Sequence, residues 1–455
     1  MTAVIIFCIL CSLLFLGKIA RLLVPLFQKL YLPSSVIGGL IGLAIFSIFQ
    51  AQIPAQWLSI MGKLPGFLIN IIFATLFLGA ISPKLGTIFR LALPQLCMGQ
   101  LMAWGQYLLG LGIIGFIFVP LFGTIPAFGN LLEIGFEGGH GTVGGMAETF
   151  RAFDWEDGIA LGYTMATVGM ILGIVVGMML INWALHRNYI TQVVSFAQRN
   201  RHEQLGIYRF YRGPDAGRQT VFSDSIDSLA WHLALIGLAV LVGYLMLIGF
   251  QHAEVALLPQ VKTRIFNGFP LFPLCMIGGA IVQILIARFR MAPLISRGQM
   301  QRISGAALDF LIVSAVATIK LSVVLHHWLP LLALSVAGLL WGVFMVIFVA
   351  PRLFPKAWFE CAIAEFGQAL GVTATGLMLL RTVDPENHTP AATAFGYKQL
   401  FHEPFMGGGI WTALALTLVF TIGWKAVFGF SAVMFALWLM VALIIVRRRP
   451  KAAAK

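Results

Sequence analysis

Two stretches carry side chains able to do chemistry in a chain otherwise built of apolar residues: Glu137-Gly-Gly-His-Gly-Thr142 and Glu365-Phe-Gly-Gln-Ala-Leu-Gly371. Acid, imidazole and amide groups set among glycines suit binding of an ion or solute. Interrupted helix leaves backbone N–H and C=O groups that a ligand, an ion or water must satisfy. Helix N-termini at such breaks favour a carboxylate, and loose carbonyls with hydroxyls favour a small cation such as Na+. The candidate solute-binding positions are Gly138, Gly139, His140, Gly141, Thr142, Gln368, Thr373, Thr375 and Arg381. Glu137 and Glu365 read as ion-binding or coupling positions, since an ionised carboxylate at membrane depth needs a cavity or a partner. The competing reading puts both acids in water at a hairpin mouth. His140 suits a hydrogen bond to a substrate carboxylate or proton coupling, or else a fixed helix terminus. The threonine hydroxyls serve a ligand or only their own helix carbonyls. Arg381 suits bidentate pairing with a carboxylate, or anchoring beside Asp384.

Other polar residues inside apolar sequence are Asn70 and Asp309, at related places in two spans, which together suit Na+, or else a structural or solvated role, since Asp309 lies about a turn and a half from the cytoplasmic end. Lys320 is placed to snorkel outward. Tyr163 and Tyr397 each follow a glycine in the span after a hairpin. His402, Glu403 and Pro404 interrupt a further apolar run, where proline frees a carbonyl and opens the helix, and a Glu with a His beside it suits a secondary ion or proton position. No His-Glu-x-x-His spacing and no nucleophile beside a base appears in sequence, so an intramembrane enzyme is not indicated. The cysteines Cys8, Cys11, Cys97, Cys275 and Cys361 are odd in number, lie in apolar surroundings and imply neither a disulfide framework nor a zinc site.

The elements that position these groups are membrane helices. With 59% hydrophobic and 10% charged residues over 455 residues, and a mean hydropathy of +0.92, the chain reads as an all-α polytopic membrane protein. The net charge of +13 falls mostly in short gaps between apolar runs, a footprint of topology and not of nucleic-acid binding. Apolar runs place spans at 3–26, 34–51, 65–82, 91–121, 158–183, 229–250, 270–288, 303–323, 329–350, 400–421 and 427–446. Segments 127–150 and 358–380 suit re-entrant hairpins or broken helices. With the N-terminus outside and the C-terminus cytoplasmic, Lys84, Arg90, the basic residues of 184–228, Arg288, Arg290, Arg297, Arg302, Arg352, Lys356 and Arg447 to Lys451 fall inside. Lys63, Arg151, Lys262, Arg264 and Lys425 fall outside, as the positive-inside rule requires. The first hairpin then enters from outside and the second from the cytoplasm.

The two halves match. Pro33-Ser-Ser-Val-Ile-Gly38-Gly39 recurs as Pro273-Leu-Cys-Met-Ile-Gly278-Gly279, Glu137-x-Gly139 as Glu365-x-Gly367, and Ala160-x-Gly162-Tyr163 as Ala394-x-Gly396-Tyr397. The domain reading is a first repeat over 1–183, a cytoplasmic linker over 184–228, a second repeat over 229–421, an extra span at 427–446 and a tail at 447–455. Each repeat holds an odd number of crossings, so the second is inserted upside down, an arrangement found in secondary transporters.

The Gly138-Gly-His-Gly-Thr142 element, the Pro-x-x-x-x-Gly-Gly element of the second span, and Gly371-Val-Thr-Ala-Thr-Gly376 followed by Leu-Leu-Arg381-Thr-Val-Asp384-Pro385 resemble the sodium/glutamate symporter family, over roughly residues 5 to 421. The resemblance implies Na+-coupled uptake of glutamate or a similar acidic solute through the cell (inner) membrane. It also implies a homodimer whose mobile domain carries substrate by an elevator-like movement, with Na+ as coupling ion and no other cofactor. A H+-coupled carrier or exchanger of another organic anion, or a channel, is the alternative reading.

Overall fold

The computed structural model describes residues 2–29, 32–49, 52–79, 85–190, 217–257, 266, 269–354, 356–384 and 388–447. Among these residues the protein is all helix. Nine helices are long and apolar enough to cross a membrane, and shorter apolar helices accompany them. Their outward faces carry large apolar side chains, among them Phe7, Phe15, Leu241, Leu245, Leu340 and Leu443. Such a surface is stable only against hydrocarbon, and each helix meets its own backbone hydrogen-bonding needs there.

The chain begins with α1 (Thr2–Leu23), α2 (Ser34–Ile48) and α3 (Ala55–Ala74). Pro33 and Pro54 precede the last two, where a missing N–H loses nothing. After α4 (Leu85–Ile113) come the short α5 (Leu131–Phe136) and α6 (Gly139–Gly145), then α7 (Asp157–His186). The second half runs α8 (Ser228–Leu257), α9 (Phe272–Arg288), α10 (Arg297–Ala317), α11 (Trp328–Phe344), α12 (Trp358–Val383), α13 (Ala391–His402) and α14 (Ile410–Thr421), and α15 (Trp424–Arg447) ends it. Asp227 starts α8 by accepting from the N–H groups of Leu229 (2.9 Å) and Ala230 (3.1 Å). This is the capping geometry that supplies the first turn's missing acceptor. A π-helical turn follows α4 at Ile114–Phe118 and another follows α11 at Met345–Val349, with Pro120 and Pro351 close behind.

Three of the differences from the expected spans have a clear local cause. The helix expected over 65–82 is α3, which carries Pro65 in its interior and ends at Thr75, whose hydroxyl donates to the Ile72 carbonyl at 2.6 Å. The helix expected over 303–323 is α10; its first turns hold Arg297, Gln299 and Arg302, and the chain leaves the helix at Thr318. The span expected over 400–421 is broken into α13 and α14. Pro404 removes a donor there, and Gly407 and Gly408 adopt φ of +62° and +105°, a left-handed region open to glycine. Of the expected linker, Arg199, Arg201, Arg209, Arg212 and Asp215 lie outside the described residues, as do Lys84, Lys262, Arg264 and Pro385.

Helices α1 to α3 and α8 to α10 form one layer, held by backbone contacts at the recurring glycine pairs. A Cβ on Gly38 would lie 2.3 Å from the Leu13 carbonyl oxygen of α1, and one on Gly278 2.1 Å from the Ala239 carbonyl oxygen of α8. The second glycine of each pair faces the other half: Gly39 meets Val316 of α10 and Gly279 meets the Ala74 carbonyl of α3. The remaining helices form a second layer around a large core that includes Phe128, Phe136, Phe150, Phe366 and Leu370, and the first layer joins it through Val36, Ile69 and Leu311.

In that second layer the chain turns back twice along α7. Phe128 and Phe150 both pack on Trp155, with ring centroids 6.1 and 5.5 Å away. Between them the chain reaches Gly169, where Phe136 packs. Within α12, Gly371 (φ −152°) and Val372 (φ 64°) leave the helix. A Cβ on Gly376 would lie 2.3 Å from the Ala364 carbonyl, and one on Gly367 2.6 Å from Gly376 Cα. A straight helix would hold Gly367 and Gly376 about 13 Å apart, so α12 is a helical hairpin. Its start, Trp358, stacks through Tyr189 on Trp183 at the far end of α7. The two hairpins thus approach from opposite ends of α7, and their turns meet at its middle: a Cβ on Gly139 (φ 69°) would lie 2.4 Å from Val372 Cγ1.

Placing a leucine at Gly278 forces α8 and α9 apart. The expected outcome is destabilisation of about 1–3 kcal/mol, seen as a lower apparent melting temperature of detergent-purified protein. Gly237→Leu, at a position with no atom within 4 Å, leaves melting unchanged.

Candidate functional site

Around the meeting point of the two turns lies a buried polar network drawn from α4, both hairpins and the broken α13–α14 segment. Glu365 is 1% exposed. Its carboxylate accepts from Lys398 Nζ at 3.0 Å and from Gln95 Nε2 at 2.9 Å. Lys398, fully buried, also donates to Gln368 Oε1 at 2.9 Å. Gln399 Nε2 donates to the same Gln368 oxygen at 2.5 Å, and the Thr373 hydroxyl donates to Glu403 Oε1 at 2.7 Å. Removing one partner of such a buried pair would strand the other charge.

A second branch starts at Glu133, which is buried in α5. Its oxygens accept from the Tyr107 hydroxyl (2.7 Å), the Thr412 hydroxyl (2.7 Å) and the Gly407 N–H (2.9 Å). The glycines after Pro404 therefore free a backbone donor and aim it at an acid. Two hydroxyls and a backbone N–H thus satisfy one buried carboxyl group.

The third branch fixes a histidine tautomer. Trp104 Nε1, which can only donate, points at Gln100 Oε1 at 2.9 Å. The Gln100 amide nitrogen then faces His402 Nδ1 at 3.2 Å, so Nδ1 accepts and the ring proton belongs on Nε2. That nitrogen is in hydrogen-bond contact with Glu137 Oε1. The other Glu137 oxygen, Oε2, is buried without a hydrogen-bond partner. By the same logic the Thr167 hydroxyl, which donates to the Tyr163 carbonyl at 2.9 Å, accepts from His140 Nε2 at 2.9 Å.

Of the positions singled out from sequence, the fold brings Glu137, Glu365, Gln368, Thr373, His402 and Glu403 into this network, with Gly139 at the turn. Gly138 donates its N–H to the Glu133 carbonyl at 2.9 Å, and Gly141 packs against Ile69 of α3. Thr142 and Thr375 return their hydroxyl protons to the carbonyls of Gly138 and Gly371 within their own segments. Asn70 donates to Gly66 O at 2.8 Å within α3, and Asp309 is exposed on α10; neither is bonded to the network. Arg381 is exposed as well. Asp384 accepts instead from the N–H groups of His388 and Thr389, at 2.8 and 2.9 Å. Lys320 forms an exposed pair with Glu156 at 3.6 Å.

Sequence reasoning missed Glu133, Tyr107, Gln95, Gln100, Lys398, Gln399 and Thr412. One signal was available: the turn at Gly139 lies six residues after Glu133, and the turn at Gly371 six after Glu365. Glu133 and Glu365 thus stand at the same distance before the first residue that leaves the helix in each segment.

A cavity of about 580 Å³ opens between the two layers near the start of α7. It is lined by Phe46, Ser59 and Gly62 of the first layer, by Arg151 and Lys320, and by Tyr163. The Tyr163 hydroxyl is buried there without a partner, beside Gly144 of the first hairpin.

Removing the Tyr107 hydroxyl deletes one donor to a buried acid. Tyr107→Phe is expected to destabilise the purified protein by about 1.5–3 kcal/mol, the range for a hydrogen bond to a charged group, whereas Tyr244→Phe, on an exposed side chain, has no effect in the same thermal melt.

No curated relative matches the chain. A family model described as sodium/glutamate symporter matches residues 1–387, a stretch that includes both turns and Glu133, Glu137, Glu365 and Gln368. The chain belongs to the sodium/glutamate symporter family.

Proposed function

We propose that this chain is a Na+-coupled symporter of glutamate or a closely related acidic solute, and that the solute binds where the two hairpin turns meet. The observation that carries the reading is the contact of Gly139 with Val372 inside a ring of buried acids. Helix restarts after each turn with N–H groups that have no carbonyl one turn back, which suits a carboxylate. The Thr373 hydroxyl stands beside one of them, bonded to Glu403. A carboxylate next to that donor set suits the ammonium of an amino acid, so Glu403 favours glutamate over a plain dicarboxylate. Glu137, with a free oxygen in the same place, is the coupling-cation candidate. The cavity ending at Tyr163 is the access path from one face.

The matched glycine pairs and π-helical turns support an inverted duplication, with re-entrant hairpins entering from opposite sides of the membrane. On this reading the hairpin layer moves against the layer of α1–α3 and α8–α10 in an elevator-like step. Close glycine contacts such as Gly66 on the Gly144 carbonyl leave a smooth surface between them. Homodimerisation, residence in the inner membrane and a cytoplasmic C-terminus belong to the same reading. The family assignment speaks for a transporter and not an enzyme. The His402–Glu137 contact favours one second reading, in which a proton held by that pair is the coupling ion.

Purified protein in liposomes is expected to accumulate radiolabelled glutamate only under an inward Na+ gradient. Uptake that is unaffected when choline replaces Na+ at constant pH and potential, yet follows a pH gradient, would transfer the coupling to the proton. Glu137→Gln and Glu365→Gln are each expected to lower uptake at least tenfold, about 1.4 kcal/mol, with normal membrane insertion. Full uptake by both variants refutes a role for these acids.

A further inference from the structure

The position of the breaks makes Glu133 and Glu365 equivalent, yet the protein neutralises them differently. Glu133 receives three neutral donors, and among the described residues no cation pairs with it. Glu365 receives a lysine. Lys398 Nζ sits in a niche made by Glu365 Oε2 at 3.0 Å, Gln368 Oε1 at 2.9 Å and the face of Phe395, whose centroid is 5.3 Å away. Gly99 makes the room: a Cβ there would stand 3.0 Å from the ammonium nitrogen and 2.9 Å from the carboxylate. Gln95 holds the second Glu365 oxygen at 2.9 Å, which fixes the carboxylate toward the ammonium. Oxygen ligands gathered around one buried monovalent charge are what a small cation requires. The lysine supplies that charge from α13, beyond residue 387, where the family match ends.

We propose that Lys398 is a tethered cation filling, in the second hairpin, the niche whose counterpart in the first hairpin is left for a mobile cation. One of two equivalent cation positions is thereby occupied permanently by the chain, and removing the lysine turns its niche into a Na+ site. The inference rests on the reading of the hairpin acids as cation positions. Lys398→Gln removes the tethered charge and leaves Glu365 in place. The double variant Glu365→Gln/Lys398→Gln removes both charges, so the niche asks for no cation.

The test is thermal melting of purified full-length protein in NaCl and in choline chloride at equal ionic strength. An ion that binds only the folded state raises its melting temperature. Lys398→Gln is expected to show a larger upward shift with Na+ than the unmodified protein, and the double variant to show the unmodified protein's shift. Recovery of Lys398→Gln as folded protein only when purified in Na+ supports the inference equally. It is overturned by an unchanged Na+ shift in folded Lys398→Gln, by an enlarged shift that persists in the double variant, or by misfolding of Lys398→Gln in both salts while the double variant folds. A Na+ shift in Lys398→Gln together with none in the unmodified protein sustains the tethered cation and counts instead against Na+ symport.

Discussion

The contact between the two helix turns, Gly139 against Val372, fixes where nearly every other functional group sits. Gly139 has φ of 69° and Val372 has φ of 64°, so a β-branched residue is held in the left-handed region, a strain of order 1–3 kcal/mol that persists only where its surroundings enforce it. The enforcement comes from α7. A Cβ on Gly162, Gly169, Gly173 or Gly177 would collide with Val143, Phe136 together with the Leu370 carbonyl, Leu370, or Leu379 respectively. Small residues at one-turn and two-turn spacing let helices approach to backbone contact in a membrane, where packing and not hydrophobic exclusion drives association. The glycine face of α7 is therefore the surface on which both hairpins are seated, and their turns coincide because that face is continuous.

Seating two broken helices there brings buried acids together, and the surrounding structure answers each with donors. The three donors of Glu133, the lysine and amide of Glu365, the imidazole of Glu137 and the hydroxyl of Glu403 come from α4, α12, α13, the segment after α13 and α14. That dependence explains the break in the span expected over 400–421: a continuous helix would keep the Gly407 N–H in its own ladder, and Glu133 would lose a donor. The irregular backbone is tolerated at membrane depth because it is enclosed by protein and spent on a side chain.

Much of the architecture was legible in composition and apolar run length, because a bilayer allows few backbone solutions. The spans 158–183, 329–350 and 427–446 fall within α7, the α11 region and α15. Boundaries failed where a polar first turn is capped, as at α10, or where proline is carried inside a helix, as at Pro65 of α3. At the site, Glu137, Glu365, Gln368 and Thr373 were legible because glycine flanked them. Glu133 and Lys398 drew no notice, and the contacts across elements are what reveal them. Tyr397 drew notice for following a glycine, yet it is the adjacent Lys398 that points inward. The Glu-x-Gly pattern does not choose between the acids of the first hairpin, since Glu133-Ile-Gly135 fits it as well as Glu137-Gly-Gly139.

The asymmetry between Glu365, which is bonded to a lysine, and Glu133, which has only neutral donors, bears on why an anionic solute would travel with a cation at all. A solute carboxylate arriving at the turns faces like charge. Two unit charges about 5–6 Å apart at an effective dielectric near 20 repel by about 3 kcal/mol, enough to weaken binding by about two orders of magnitude. A mobile cation beside Glu133 and Glu137 cancels that repulsion, and by reciprocity the bound solute strengthens the cation's hold by the same factor. On the proposed reading, coupling needs no separate relay between the two ligands. It follows from leaving one acidic turn uncompensated while the equivalent position in the other half carries its own cation.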